Sequence, residues 1–263
     1  MKKVLFSALV TVALLLGLSG TAVAAPPDDT PGNGPPEFDK IVFIHYPKGE
    51  APGKPGGTSG KGSIEGEYKL TRYHWADTSI PVTYVVNLGG LPDTFLVGIQ
   101  AAFQTWEDDP LSYMDFTYGG TTGIGISSLA NQMDGYNVVG WANISAQYPN
   151  AIAVTIFWYN VATKHLAEVD VAMNSDPYFA WWQNDAGNEV WDSDKISDAY
   201  DVDVQNIMTH EAGHWLVLGD LYASYNTDKT MYGYSGEFEL MKRSLTSGDS
   251  AGIQKIYPGS TIP

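Results

Sequence analysis

The sequence predicts an α+β domain over residues 66–263. Short β-prone runs recur at 81–86, 113–118, 137–144, 151–159 and 165–173. One amphipathic helix falls between the first two of these runs, and a second helical segment follows the last. Strands that cluster in series, with helices set before and after the cluster, point to α+β.

The elements follow in chain order. Lys2 and Lys3, an apolar run at 4–18 and the small residues Ala22-Val23-Ala24 have the pattern of a secretory signal, so residues 1–24 are expected to be removed. The apolar run is short for a membrane span, and no stable membrane insertion is expected afterwards. Residues 25–65 are rich in Pro and Gly and are expected to form a leader or pro-segment. Within them, Ile41-Val42-Phe43-Ile44-His45-Tyr46 is β-prone. Two alternatives stand for it: an edge strand of the domain, or a pro-segment remnant lying in a cleft. His45 is expected to be a surface or strand histidine rather than a ligand.

The first helix opens at Leu91-Pro92-Asp93, with Asp93 as its N-cap. Phe95, Leu96, Ile99, Phe103 and Trp106 share one face of it, which should pack on the sheet. The last β-run carries Glu168, Asp170 and Asn174 on one side by alternation. Such clustered oxygens can take Ca2+; the competing reading is a polar outer face, and no loop of calcium-binding spacing is visible. Residues 179–200 read as a loop leading into the second helix, which should start near Asp201 or Asp203. Val204, Met208, Trp215 and Leu218 form its core stripe.

That helix carries the chemistry. His210 and His214, two of the five histidines, are four residues apart and lie nearly above one another, so both imidazoles can reach one metal ion. Glu211 points near the same place, where a carboxylate can hold a metal-bound water. Zn2+ suits neutral imidazoles on a rigid helix. Asp220 lies too far along for a continuing helix to bring it back, so the chain must turn, most easily at Gly219.

His210-Glu211-x-x-His214, followed by Leu218-Gly219-Asp220, resembles the extended zinc motif of the metzincin proteases, and among them the secreted matrixin and snapalysin-type enzymes. Thr230-Met231-Tyr232-Gly233-Tyr234 resembles the family's Met-turn, and residues 249–257 resemble its closing helix. Val217 departs from the pattern, because the family has glycine there. Either Gly219 takes over the turn, or Asp220 is held less regularly.

The resemblance implies a twisted, mainly parallel five-stranded sheet with an antiparallel edge strand, two long helices and a small C-terminal subdomain with Met-turn and closing helix. The fourth strand, 151–159, would be the edge beside the cleft, where an extended substrate adds as a further strand. It also implies a secreted zinc endopeptidase: one catalytic Zn2+ on His210, His214 and Asp220, Glu211 as general base, Met231 beneath the site, and Tyr232 and Tyr234 at the substrate pocket or oxyanion. A third ligand from Glu237 or Glu239 is rejected, since no helical pattern surrounds them. The alternative function is a silent or latent secreted module that keeps the fold.

A net charge of −16, about −18 once Lys2 and Lys3 are gone, argues against nucleic acid as a partner. A peptide or protein substrate and a monomeric chain are expected. The absence of cysteine excludes disulfides and any thiol that could block the metal.

Overall fold

In the computed structural model, which describes residues 37–49, 66–176, 191–192, 202–236 and 239–259, the β-prone runs make one seven-stranded sheet. The strands are β1 (Phe38–Pro47), β2 (Val82–Asn87), β3 (Phe116–Thr121), β4 (Val138–Ala142), β5 (Ala153–Asn160), β6 (Leu166–Asn174) and, beyond the short pair β7 (Trp191–Asp192) and β8 (Val202–Asp203), β9 (Tyr234–Ser235). The spatial order is β3-β2-β4-β6-β5-β1-β9. From β3 through β6 every neighbour is parallel. β5 is antiparallel to β6, and β1 is antiparallel to β5. The signal segment, most of the leader and most of the 179–200 loop lie outside the described residues.

The fold is α+β, with a mostly parallel sheet and three helices among the described residues: α1 (Asp93–Glu107), α2 (Val204–Trp215) and α3 (Ser247–Ile256). None of these helices is long and apolar enough to cross a membrane. Two expectations are corrected. The sheet has seven strands rather than five, and β5 is not its edge, because β1 occupies the outer side of β5 from Phe38 opposite Asn160 to His45 opposite Ala153. β3 also starts three residues later than expected. Tyr113 turns away to donate its backbone N–H to the carbonyl of Tyr257 near the end of the chain.

α1 and α2 cover one face of the sheet. Phe95, Ile99, Phe103 and Trp106 of α1 are buried as the periodicity predicts, while Leu96 is partly buried. Pro92, not Asp93, is the N-cap, and it contributes no side-chain hydrogen bond. α1 crosses α2 at Gly98, where a Cβ would sit 3.2 Å from Val204 Cγ1, and the Trp106 indole donates to the carbonyl of Thr209. α2 is therefore buried nearly all round, which fixes it rigidly beneath β5. On the opposite face, Val42, Ile44 and Tyr46 of β1 join Val154, Ile156 and Ala172 in a second apolar cluster.

A candidate metal centre beneath the sheet

α2 begins where the sequence expects. Asp203 is its N-cap and accepts a hydrogen bond from Asn206 N–H at 2.6 Å. It ends in a Schellman turn: Leu218 N–H donates to Gly213 O and Val217 N–H to His214 O. The left-handed residue such a turn requires is Val217, at φ 62°. Gly219 does not take over the turn, and Asp220 is nevertheless brought back to the helix.

Asp220 is held there from both sides. Gly219 N–H donates to Lys69 O, and Leu221 N–H donates to Met231 O. The Tyr222 hydroxyl donates to the Asp220 carboxylate, and burial beside that carboxylate raises the phenol above its ordinary range. Sequence reasoning missed Tyr222. A tyrosine two residues past a candidate ligand is the available signal.

The three expected ligands converge. Asp220 Oδ1 lies 3.2 Å from His210 Nε2 and 3.4 Å from His214 Nε2. All three atoms are buried and have no hydrogen-bond partner, although buried polar atoms nearly always have one. The opposite ring nitrogens are both committed: His210 Nδ1 donates to Thr230 O and His214 Nδ1 to Leu218 O, each at 2.8 Å. Those bonds place each ring proton on Nδ1 and leave the Nε2 lone pair facing inward, which is how ligating histidines are oriented. The group could hold a metal ion.

Glu211 is fully buried beside this cluster. Thr155 of β5 donates to its Oε2 at 2.5 Å, and His45 Nδ1 lies 3.1 Å from its Oε1. Burial pushes the Glu211 carboxyl up, opposed by His210, His214 and the Thr155 bond. His45 is thus a strand histidine, as expected, but it is not at the surface. Its Nε2 is 2.9 Å from Ser235 Oγ, which in turn accepts from the buried ammonium of Lys242. An ionised Glu211 can only accept, so its neighbour Nδ1 carries the ring proton and Nε2 accepts from the serine hydroxyl. Burial, helped by His210 and Lys242, holds the His45 pKa well below its ordinary value and keeps the ring neutral.

Met231 packs under α2 against Gly213. Its turn is anchored by Asp249 of α3, whose carboxylate accepts from Thr230 N–H and Met231 N–H and also completes the capping box with Thr246. Tyr232 and Tyr234 follow, 5.6 Å apart ring to ring, with Tyr222 5.2 Å from Tyr234. Gly233 lies between them, and a Cβ there would meet Tyr222 at 2.5 Å.

Glu168 and Asp170 are buried and directed at the 127–138 loop. Glu168 accepts from the backbone of Asp134 and Gly135, and Asp170 from that of Ser128 and Val138. Asn174 donates its amide to Ala151 O and Ser145 Oγ. The carboxylates thus face a loop they hold in place, rather than solvent. Glu239, set aside as a ligand, pairs with Lys242. Compared with known proteins, the chain matches no family model and no curated protein.

Proposed function

We propose that the chain is a secreted zinc-dependent endopeptidase of the metzincin type. The observation that carries this is the convergence of three orphaned buried lone pairs, on His210, His214 and Asp220, next to the carboxylate of Glu211. Two bonds of about 2.0–2.1 Å meeting at a tetrahedral angle separate their donor atoms by about 3.3 Å. The two separations from Asp220 Oδ1 are 3.2 and 3.4 Å, which supports zinc as the ion.

His210, His214 and Asp220 would hold the ion, and the mixed imidazole–carboxylate set leaves a fourth position for water. Zinc supplies there a Lewis acid that acidifies water and polarises a carbonyl. The remaining work falls to the chain's own groups. Glu211 takes the water proton at Oε1, while Thr155 fixes Oε2 and so the plane of the carboxylate. The same Oε1 then delivers that proton to the leaving amine. Tyr232 and Tyr234 line the side of the site after the Met-turn and form the pocket for the residue beyond the scissile bond. Leu221 and Asp249 hold Met231 as a support that does not touch substrate.

The test is hydrolysis of casein by the zinc-loaded chain beside Glu211→Ala at equal zinc content. Loss of activity in the variant and in chelator supports the reading. Equal activity in both proteins refutes Glu211 as the base. Zinc binding with no hydrolysis by any form of the chain favours the silent, binding-module alternative.

A further inference from the structure

β1 lies across the candidate site in a way that its strand propensity alone does not require. It pairs antiparallel with β5 along one side, and at its far end it pairs parallel with β9, Tyr46 opposite Tyr234 and Pro47 opposite Ser235. One extended segment therefore spans the gap between the sheet and the chain that follows Met231. The unpaired edge of a strand is where an extended peptide adds by main-chain hydrogen bonds, and here that edge of β5 is taken.

The side chains of β1 that face α2 sit on the chemical groups. Phe43, opposite Thr155, stacks on the His214 ring with centroids 3.9 Å apart and planes 8° from parallel. His45, one pleat further on, lies 4.0 Å from the His210 ring centre and aims Nδ1 at Glu211 Oε1. His210, Glu211 and His214 are each 0% exposed. A carboxylate that must take a proton from water is instead bonded to a histidine, and the edge that must take a peptide already holds one. Lys242 and Ser235 fasten the arrangement by fixing which His45 nitrogen faces Glu211.

We propose that β1 is a built-in occupant of the substrate edge, a pseudosubstrate strand that keeps the site closed, with Phe43 covering His214 and His45 capping Glu211. This rests on the endopeptidase reading for what is closed, but the occupancy can be tested separately. It names the regulation of the site: hydrolysis begins when residues 38–47 leave the groove. It also names the kind of segment the groove accepts, an extended strand with an aromatic side chain at the Phe43 position.

The test uses the full chain, its Phe43→Asp variant, which places a charge on the apolar stack, and its His45→Ala variant, which removes only the cap. A fluorescein-labelled peptide with the sequence of Phe38–Pro47 is titrated into each metal-free protein and its anisotropy followed. Apparent affinity falls with the fraction of molecules whose site is open, so each variant is expected to bind at least about tenfold tighter than wild type. Equal binding by all three overturns the proposal, as does tight binding by wild type with β1 in place. Casein hydrolysis by the zinc-loaded forms gives the second readout. A matching rise in the variants supports both readings. Tighter peptide binding with no hydrolysis in any form leaves the occupancy standing and refutes the endopeptidase. Full hydrolysis by wild type, unchanged in the variants, refutes the closure and keeps the endopeptidase.

Discussion

Met231 Sδ lies in the space that a side chain on Gly213 would need: a Cβ on Gly213 would fall 2.1 Å from that sulfur and 2.9 Å from Trp106 Cζ2. Gly213 sits between Glu211 and His214, so the turn carrying Met231 reaches the underside of the candidate site through this one missing side chain. Gly213→Ala gains up to about 1 kcal/mol of helix propensity. Overpacking costs about 1–3 kcal/mol, and the side chain displaced is the one beneath the candidate ligands. A lower Tm and weaker zinc binding are expected. Met231→Ala placed on top of Gly213→Ala should restore part of both, because the two changes share one volume. Simple additivity in thermal unfolding would contradict this packing.

Tyr222→Phe removes the hydroxyl that donates to Asp220 and leaves the ring in place beside Gly233. Groups that orient a ligand typically change metal affinity about 10- to 100-fold when lost. About tenfold weaker zinc binding is expected, read by competition with a chromophoric chelator, with little change in Tm for the metal-free chain. An unchanged affinity would mean that the backbone bonds of Gly219 and Leu221 position Asp220 unaided.

What the sequence made legible is what local spacing dictates. His210 and His214 lie on one face of α2 because of helical geometry, and Asp203 caps it because of its side chain. The α1 stripe is a periodicity, and periodicity survives folding. The place of β1 was not legible. His45 meets Glu211 across 166 residues, and no spacing rule links segments so far apart. The β-prone run at 41–46 announced a strand, not its neighbours. Val217 was hidden for the opposite reason: its local preference is clear and the structure overrides it.

Val217 at φ 62° is a β-branched residue in a region that costs L-residues about 1–2 kcal/mol. The Schellman hydrogen bonds and the return of Asp220 hold it there. Its side chain is fully buried, which is worth about 1.5–3 kcal/mol and accounts for a valine in a glycine's place. Val217→Ala loses most of that burial and keeps the strained φ. Val217→Gly loses the burial and removes the strain. The glycine variant is therefore expected to be the more stable of the two in urea unfolding, the reverse of the usual Ala-over-Gly order near a helix. The usual order would show that the turn is not strained.

The 127–138 loop gives the domain a dependence on pH separate from that of His210, His214 and Asp220. Burial raises Glu168 to about 7, with its Gly135 bond opposing and the Asp170 charge adding to it. Burial likewise raises Asp170 to about 6, opposed by its bonds to Val138 and Ser128. A carboxyl whose folded pKa lies above its unfolded value near 4 binds more protons in the folded state between those two values, so folding stability falls as pH rises through that window. For Glu168 the window runs from about 4.5 to about 7. Urea unfolding of wild type and Glu168→Gln at half-unit steps of pH isolates the effect. The difference in stability between the two should shift steadily against wild type from pH 4.5 to 7, then level off. A flat difference would show that the backbone N–H groups of Asp134 and Gly135 fully compensate the burial of the charge.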